Sequence, residues 1–306
     1  MRVMLAGATG AIGRPLIGCL REAGHTVFGL ARSPESARAL AEAGAGVVMA
    51  DALEAAAVRA AIARVQPHAV INELTSLPAH YTPAEMKAAA ERDRKVRIEG
   101  NANLLAALHD AGVRRYILQS SGFWYAPGAG LADESAPFAL DASPAVAAGA
   151  HTYAELESLA SRTPGIEWVA LRYGFFYGPG TWYCSEGDMG DQVRQQWIPV
   201  IGAGEGVWSW VHIEDAAAAT VAALDCAPGA YNVVDSEPTP QREWLPAFAR
   251  AVGAPPPPTV TEQQALDTFG ADTVYYATRL RGASNDKARR ELHFRPRPLE
   301  WLQPVP

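Results

Sequence analysis

Three glycines, Gly7, Gly10 and Gly13, stand at even spacing between an apolar run, Val3 to Ala6, and a segment with Ile12, Leu16, Ile17 and Leu20 on one helical face. The order is strand, glycine turn, helix. Such a turn can hold a pyrophosphate, because backbone N–H groups at a helix N-terminus point at the anion and the helix dipole favours its charge. Gly7 permits the sharp turn, Gly10 lets the backbone approach the phosphates, and Gly13 lets helix and strand pack closely. Thr9, Ala11 and Ile12 lie in the same turn and are expected to share the contact. A second strand from His25 to Leu30 supplies the βαβ unit that separates a dinucleotide site from an ordinary turn.

Charge at the end of that second strand bears on which dinucleotide is bound. A fold that prefers NAD normally carries an acid there for the ribose 2′-hydroxyl. This chain reads Leu30-Ala31-Arg32-Ser33, with no carboxylate. Arg32 can pair with a 2′-phosphate and Ser33 can donate to it, so NADP(H) is favoured over NAD(H). Aromatic residues concentrate further along. Phe123, Trp124 and Tyr125 follow one strand; Tyr173, Phe175, Phe176, Trp182 and Tyr183 follow another; Trp208 and Trp210 precede His212. Ligands bind beyond the carboxyl ends of strands in this architecture. Phe123, Trp124, Tyr125, Phe176, Trp182 and Trp208 are therefore candidates to touch an apolar or aromatic substrate.

The elements that must position these residues alternate. Strands are expected at Val3–Ala6, Thr26–Leu30, Gly46–Ala50, Ala69–Asn72, Tyr116–Gln119 and Trp168–Leu171. Helices are expected at Ala11–Ala23, Pro34–Ala43, Leu53–Val65, Pro83–Ala111 and Gly149–Arg162. The pattern predicts an α/β fold, a Rossmann-type doubly wound parallel sheet with a smaller C-terminal substrate-binding lobe. Residues 1–177 are assigned to the dinucleotide-binding domain, with 208–235 returning to it through a helix at Ile213–Cys226 and a strand at Ala230–Val234. Residues 178–207 and 236–306 form the lobe, with helices at Arg242–Val252 and Asp286–Glu291 and a stiff polyproline segment at Pro255–Pro258.

A net charge of −7 argues against a nucleic-acid backbone as partner, while leaving room for small phosphate ligands. Hydrophobic content of 49% with 19% charged residues describes a globular protein with a large core. Cys19, Cys184 and Cys226 are far apart and odd in number, so neither a disulfide framework nor a metal site is read from them. No run has the length of a membrane span and no targeting segment is evident, so a cytoplasmic location with no membrane partner is expected.

Taken together, the segments resemble the short-chain dehydrogenase/reductase superfamily in its extended or atypical branch, which includes NAD-dependent epimerases and dehydratases. The matching segments are Gly7-Ala-Thr-Gly-Ala-Ile-Gly13, Ala50-Asp51-Ala-Leu, Gln119-Ser-Ser-Gly-Phe-Trp-Tyr125, Tyr153-Ala-Glu-Leu-Glu157, Leu171-Arg-Tyr-Gly-Phe-Phe-Tyr-Gly-Pro-Gly180 and Trp210-Val-His-Ile-Glu-Asp215. The resemblance implies that Asp51, with Ala52, contacts adenine. Asp51 is also suited to cap the helix starting near Leu53. Asn72, Glu73 and Thr75 end the fourth strand and are expected along the ribose or nicotinamide. Ser120, Tyr173 and Phe175 complete the expected cofactor contacts. Relatives often dimerise through paired long helices, here Pro83–Ala111 and Gly149–Arg162, so a homodimer is implied.

The family's catalytic trio is a Ser that holds the substrate oxygen, a Tyr that moves the proton, and a Lys one helical turn later that binds ribose and lowers the Tyr pKa. Ser121 and Tyr153 match the first two. The lysine position is Glu157, and none of the chain's three lysines, Lys87, Lys95 and Lys287, lies near Tyr153 in sequence. A second departure is Arg97, where the family often has Asn. Residues four apart share a helical face, so Glu157 is expected beside Tyr153, raising a phenol pKa that already lies near about 10. Tyr153 then makes a poor base but a usable donor, while Glu157 holds ribose or tunes Tyr153. His212 is read as structural, and His151 as either a helix-start residue or a proton relay. Three activities fit: NADP(H)-dependent reduction of a hydrophobic small molecule, sugar-nucleotide epimerisation or dehydration, and cofactor binding without turnover. The aromatic segments favour the first.

Overall fold

The computed structural model describes residues 1–303; residues 304–306 of the expected lobe lie outside the described residues. Seven parallel strands form the central sheet: β1 (Arg2–Ala6), β2 (Thr26–Ala31), β3 (Gly46–Met49), β4 (Ala69–Asn72), β5 (Arg115–Ser121), β6 (Glu167–Tyr173) and, after four shorter strands, β11 (Gly229–Val233). Their spatial order is β11-β6-β5-β4-β1-β2-β3. The order reverses between β1 and β4, where a doubly wound sheet opens its ligand crevice. The strands are short apolar runs because both faces are covered. Helices α1 (Gly13–Glu22) and α2 (Pro34–Glu42), with the later α7 (Ile213–Ala222) and α11 (Asp286–Glu291), bury one face. Helices α3 (Ala55–Val65), α4 (Pro83–Ala111) and α5 (Pro144–Arg162) bury the other.

Local chemistry explains the boundaries. Thr82 accepts from the Glu85 amide, Pro83 opens the first turn, and Gly112 ends α4 in the left-handed conformation. Helix α5 starts five residues before the expected Gly149, because Pro144 suits a first helical position. Helix α3 begins at Ala55 rather than Leu53. Asp51 is not its cap: its carboxylate takes the Leu53 amide at 2.9 Å and closes a turn instead.

Beyond β6 the chain builds small sheets around an aromatic core. Strand β7 (Phe175–Tyr177) pairs with β10 (Trp210–His212), β8 (Val200–Ile201) with β13 (Thr259–Val260), and β9 (Val207–Trp208) with β12 (Thr239–Pro240). Helices α6 (Asp188–Arg194), α8 (Gln241–Ala251), α9 (Glu262–Phe269) and α10 (Ala271–Thr278) pack about these pairs. Trp210, Trp244 and Phe248 are fully buried there. This part is more regular than the sequence suggests. Among the described residues, no helix is long and apolar enough to cross a membrane.

The glycine turn is the tightest joint. Gly7 has φ +79°, and a Cβ there would overlap the backbone carbonyl of Glu73. A Cβ on Gly13 would overlap the carbonyl of Gly7. Gly7→Ala is therefore expected to cost about 2 kcal/mol or more, combining left-handed strain with a backbone clash that no rotamer relieves. Urea unfolding at constant m-value measures it, and a loss below a few tenths of a kcal/mol contradicts the packing described.

Candidate active site

At the switch point the helix start is free of a side-chain cap. The Gly10 amide bonds the Gly7 carbonyl at 3.0 Å, Ile12 at the head of α1 supplies no side-chain cap, and no acid stands in the first turn. An anion binder needs such an unblocked helix start. Arg14 is exposed and donates to the Thr9 carbonyl at 3.1 Å, which ties its stem to the turn. At the end of β2, Arg32 is exposed and enters no ion pair among the described residues, while Ser33 caps α2 through the Ser36 amide at 3.2 Å. These features fit an adenine dinucleotide lying across the turn.

The reacting end is set by α4, α5 and the ends of β4, β5 and β6. Tyr153 on α5 is only 6% exposed, and the Arg97 guanidinium of α4 stands 5.0 Å from its ring centroid. Arg97 is itself held by Asp93, Nε to Oδ2 at 2.7 Å, and by a longer bond from Nη1 to Gln119 Oε1 at 3.4 Å. Burial pushes the Tyr153 phenol up to about 12; Arg97 opposes the rise, and Asp93 and Glu73 add to it. Tyr153 is therefore a neutral phenol at ordinary pH.

Glu157 does not take the role expected of it. Arg172 of β6 grips its carboxylate through two parallel bonds, Nε to Oε1 at 2.8 Å and Nη2 to Oε2 at 2.7 Å, and the Ser120 hydroxyl donates to Oε1. A buried carboxylate seeks a countercharge, and the arginine fork supplies one with two bonds. Sharing a helical face with Tyr153 thus did not decide where the acid points. Ser120 is committed to the same cluster, whereas Ser121, the next residue of the strand, accepts a long bond from the Phe123 amide at 3.4 Å.

Tyr125 also departs from expectation. It is fully buried, donates to Asn232, accepts from Arg172 Nη1 at 2.9 Å and stacks near Phe138, so it is not available to a substrate. Phe123 and Trp124 remain half-buried. Phe123 stacks on Phe175 at 4.1 Å, and Phe175 on Trp208 at 4.2 Å. Trp124 lies 5.6 Å from Tyr153 and donates to the Tyr276 hydroxyl at 2.9 Å. Gly149 makes room for it, since a Cβ there would run into the indole. Phe175, expected beside the cofactor, is the centre of this aromatic stack. Phe176 leans on Tyr173 instead, and Trp182 packs on Tyr81 and donates to the Ala79 carbonyl at 2.9 Å.

The end of β4 holds two buried polar residues. Asn72 donates to the Tyr116 hydroxyl at 2.8 Å, and its own oxygen takes the Leu74 amide at 3.1 Å, which fixes the strand end. Glu73 is 2% exposed; Tyr173 donates to its Oε1 at 3.1 Å, and its Oε2 has no partner. Burial raises Glu73 to about 8, against the Tyr173 bond and Arg97, which lower it. Thr75 follows, half-buried, in the irregular stretch before α4. His212 caps α7, its Nδ1 accepting the Glu214 amide at 3.3 Å, as a structural residue would. Sequence reasoning noted Arg97 only as a departure and missed its place over Tyr153. Asp93, four residues earlier on the same helix, was the available signal.

A model of the NAD dependent epimerase/dehydratase family matches residues 3–233. The chain belongs to that family. Its extended short-chain dehydrogenase/reductase character and NAD(P)-dependent oxidoreductase class follow from that match and from curated relatives. A 3-diazoavenalumate denitrifying reductase of a Streptomyces species is 41% identical over 308 residues, covering 98% of each chain. A 2-alkyl-3-oxoalkanoate reductase of Stenotrophomonas maltophilia is 27% identical over 271 residues, 83% of this chain and 77% of that relative. Among solved structures, the UDP-glucose 4-epimerase of Thermus thermophilus in complex with NAD shares the fold, with TM-score 0.73, 24% identity and coverage of 98% and 96%. Glu157 acts in this structure through packing, as the partner of the buried Arg172. Glu157→Ala leaves Arg172 buried without its partner and is expected to cost about 3–5 kcal/mol. A double replacement of Glu157 and Arg172 by Leu and Met should recover much of that loss in the same unfolding experiment.

Proposed function

We propose that this chain is an NADPH-dependent reductase of aromatic small molecules, and that its reaction replaces a diazo group on an aromatic carbon by hydrogen. The observation that carries the reading is Tyr153: a buried neutral phenol at the rim of an aromatic lobe, with no lysine to activate it. With its pKa pushed up to about 12 it stays protonated at ordinary pH, so it serves as a hydrogen-bond donor and is not a base that abstracts protons. The site is therefore read in the reductive direction.

Bound at the glycine turn, the dinucleotide would supply a hydride. The residues to hold it are Gly7, Thr9, Gly10, Ala11, Ile12 and Gly13 at the pyrophosphate, and Asp51 and Ala52 at adenine. Arg32, supported by Ser33, meets the 2′-phosphate. Glu73, Thr75 and Tyr173 line the path to the reacting end. Phe123 and Trp124, backed by the Phe175 stack, give flat apolar surface for an aromatic ring, and Ser121 and Tyr153 orient its polar substituent. Removal of a diazonium group by hydride is complete without a proton: the hydride pair forms the C–H bond, the C–N bond breaks, and its pair leaves with N2. A substrate of this class tolerates loss of the lysine-tuned acid. The whole-length likeness to a denitrifying reductase supports the same class.

The test uses NADPH deuterated at the transferable C4 position and an aryl diazonium carboxylic acid. One N2 per NADPH, with deuterium at the carbon that carried nitrogen, is the expected result. Tyr153→Phe should then keep most of the turnover. Reduction of carbonyl compounds with no attack on the diazo compound, abolished by Tyr153→Phe, would instead support an acid-assisted carbonyl reductase. Arg32→Ala is expected to raise KM for NADPH by about 10- to 100-fold and to leave KM for NADH unchanged, as loss of a charge-assisted contact requires.

A further inference from the structure

Between the end of β4 and the first turn of α4, residues 74–82 form no helix or strand, and none of them is buried. The segment starts at the carboxyl edge of the sheet, where the Leu74 amide lies against the Gly7 turn, yet its far part is bonded to the lobe. Asp188, the first residue of α6, takes the Tyr81 amide on Oδ2 at 2.7 Å and meets the His80 ring Nδ1 with Oδ1 at 2.9 Å. Gln192, one turn later, donates to the Tyr81 carbonyl at 2.8 Å and to Asp188 Oδ2 at 2.6 Å. Trp182 donates to the Ala79 carbonyl at 2.9 Å, and its ring lies 4.8 Å from that of Tyr81. The near end is fixed on α4 instead. The Ser76 amide donates to Asp93 Oδ1, and Arg92 Nε donates to the Ser76 hydroxyl at 2.7 Å.

This strap runs from the coenzyme side of the sheet to the lobe, across the crevice in which ligands of this architecture bind. Its hold on the lobe is polar and meets solvent, the His80 side chain being 67% exposed. Segments held by exposed hydrogen bonds over little buried apolar area open locally at low cost, and active-site lids are drawn from them. Tyr81 packs on the aromatic core beside Trp124, Trp182 and Tyr276. We propose that residues 77–81 are a gate over the substrate crevice, with Asp188 as the latch and Tyr81 as the wall that closes on a flat aromatic ligand. Released from Asp188, the strap swings about its ends at Ser76 and Thr82 and carries Tyr81 away from Trp182. The ligand enters there, and relatching shuts water out from Trp124 and Tyr153. The inference rests on the aromatic-substrate reading above.

Hydrogen exchange of the full chain, followed by mass spectrometry, reads the latch with no ligand present. Asp188→Ala should speed exchange of the 76–82 segment by about 10-fold or more, as loss of a charged acceptor requires, and leave the central sheet unchanged. Stopped-flow binding of cinnamate, a flat aromatic acid, to the NADPH-loaded chain reads the gate through the fluorescence of the bound coenzyme. In the unaltered chain the observed rate should level off with rising cinnamate, at the opening rate of the strap, and Asp188→Ala should raise that plateau by about 10-fold. If Asp188→Ala does not fold, His80→Ala removes only an exposed ring and one of the two bonds from the strap to Asp188, and it should move both readouts in the same direction. Unchanged strap exchange, or a binding rate that rises linearly with cinnamate alike in both chains, overturns the gate and leaves the reductase reading standing. Failure of cinnamate to bind either NADPH-loaded chain rejects the aromatic substrate class, and the gate with it.

Discussion

The approach of the glycine turn to the end of β4 is the contact on which the site depends. Without side chains at Gly7 and Gly13, the first strand, the first helix and the Glu73 carbonyl meet at backbone distance. That joint holds the head of α1, which has no side-chain cap, against the end of β4. Asn72 is locked by Tyr116, and Glu73 is turned inward toward Tyr173. One steric fact about two glycines therefore sets both the glycine turn and the buried acid behind it.

From that joint inward, charge is arranged in two separate buried sets. Arg97 and Asp93 lie by Tyr153 and Glu73; Arg172 and Glu157 lie by Ser120 and Tyr125. Each set is close to neutral. Buried ion pairs contribute little net stability, because desolvation offsets attraction, yet breaking one is costly. Glu157, one turn beyond Tyr153, is thus taken up in a structural pair with Arg172. The cation nearest Tyr153 arrives from the neighbouring helix and is bound to a carboxylate of its own. A paired guanidinium over a ring face cannot do what a free ammonium beside the phenol does, and burial keeps the upper hand over the phenol's proton.

How much of this was legible in the sequence depends on whether the deciding force was local. Strand and helix identities through β6 followed from short apolar runs and 3.6-residue spacing, and α4 ended where Thr82 and Gly112 said it would. The lobe holds more elements than its sequence pattern suggests. Helix α9 carries a capping box, Thr261 with Gln264, inside a polar stretch that hides its short apolar face. Partner choice was not legible at all. Glu157 shares a helical face with Tyr153, but whether its carboxylate turns to the phenol or to Arg172 depends on how α5 lies over β5 and β6. Ser120 and Ser121 differ only in which side of one strand they face, and Tyr125 lost its substrate role to Asn232 and Arg172, which come from strands that follow it in the chain.

The same geometry relates the aromatic core to the neutral phenol of Tyr153. A sugar nucleotide brings a second pyrophosphate and hydroxyls, which call for cations and a phenol able to move protons in both directions. Here the half-buried aromatics beyond β5 are Phe123 and Trp124, backed by Phe175 stacked between Phe123 and the buried Trp208, and Arg172 at the end of β6 is occupied by Glu157. Flat apolar walls reward a flat apolar ligand through buried area and ring stacking. When such a ligand carries its own leaving group, hydride delivery alone finishes the reaction, and a tuned acid gains nothing.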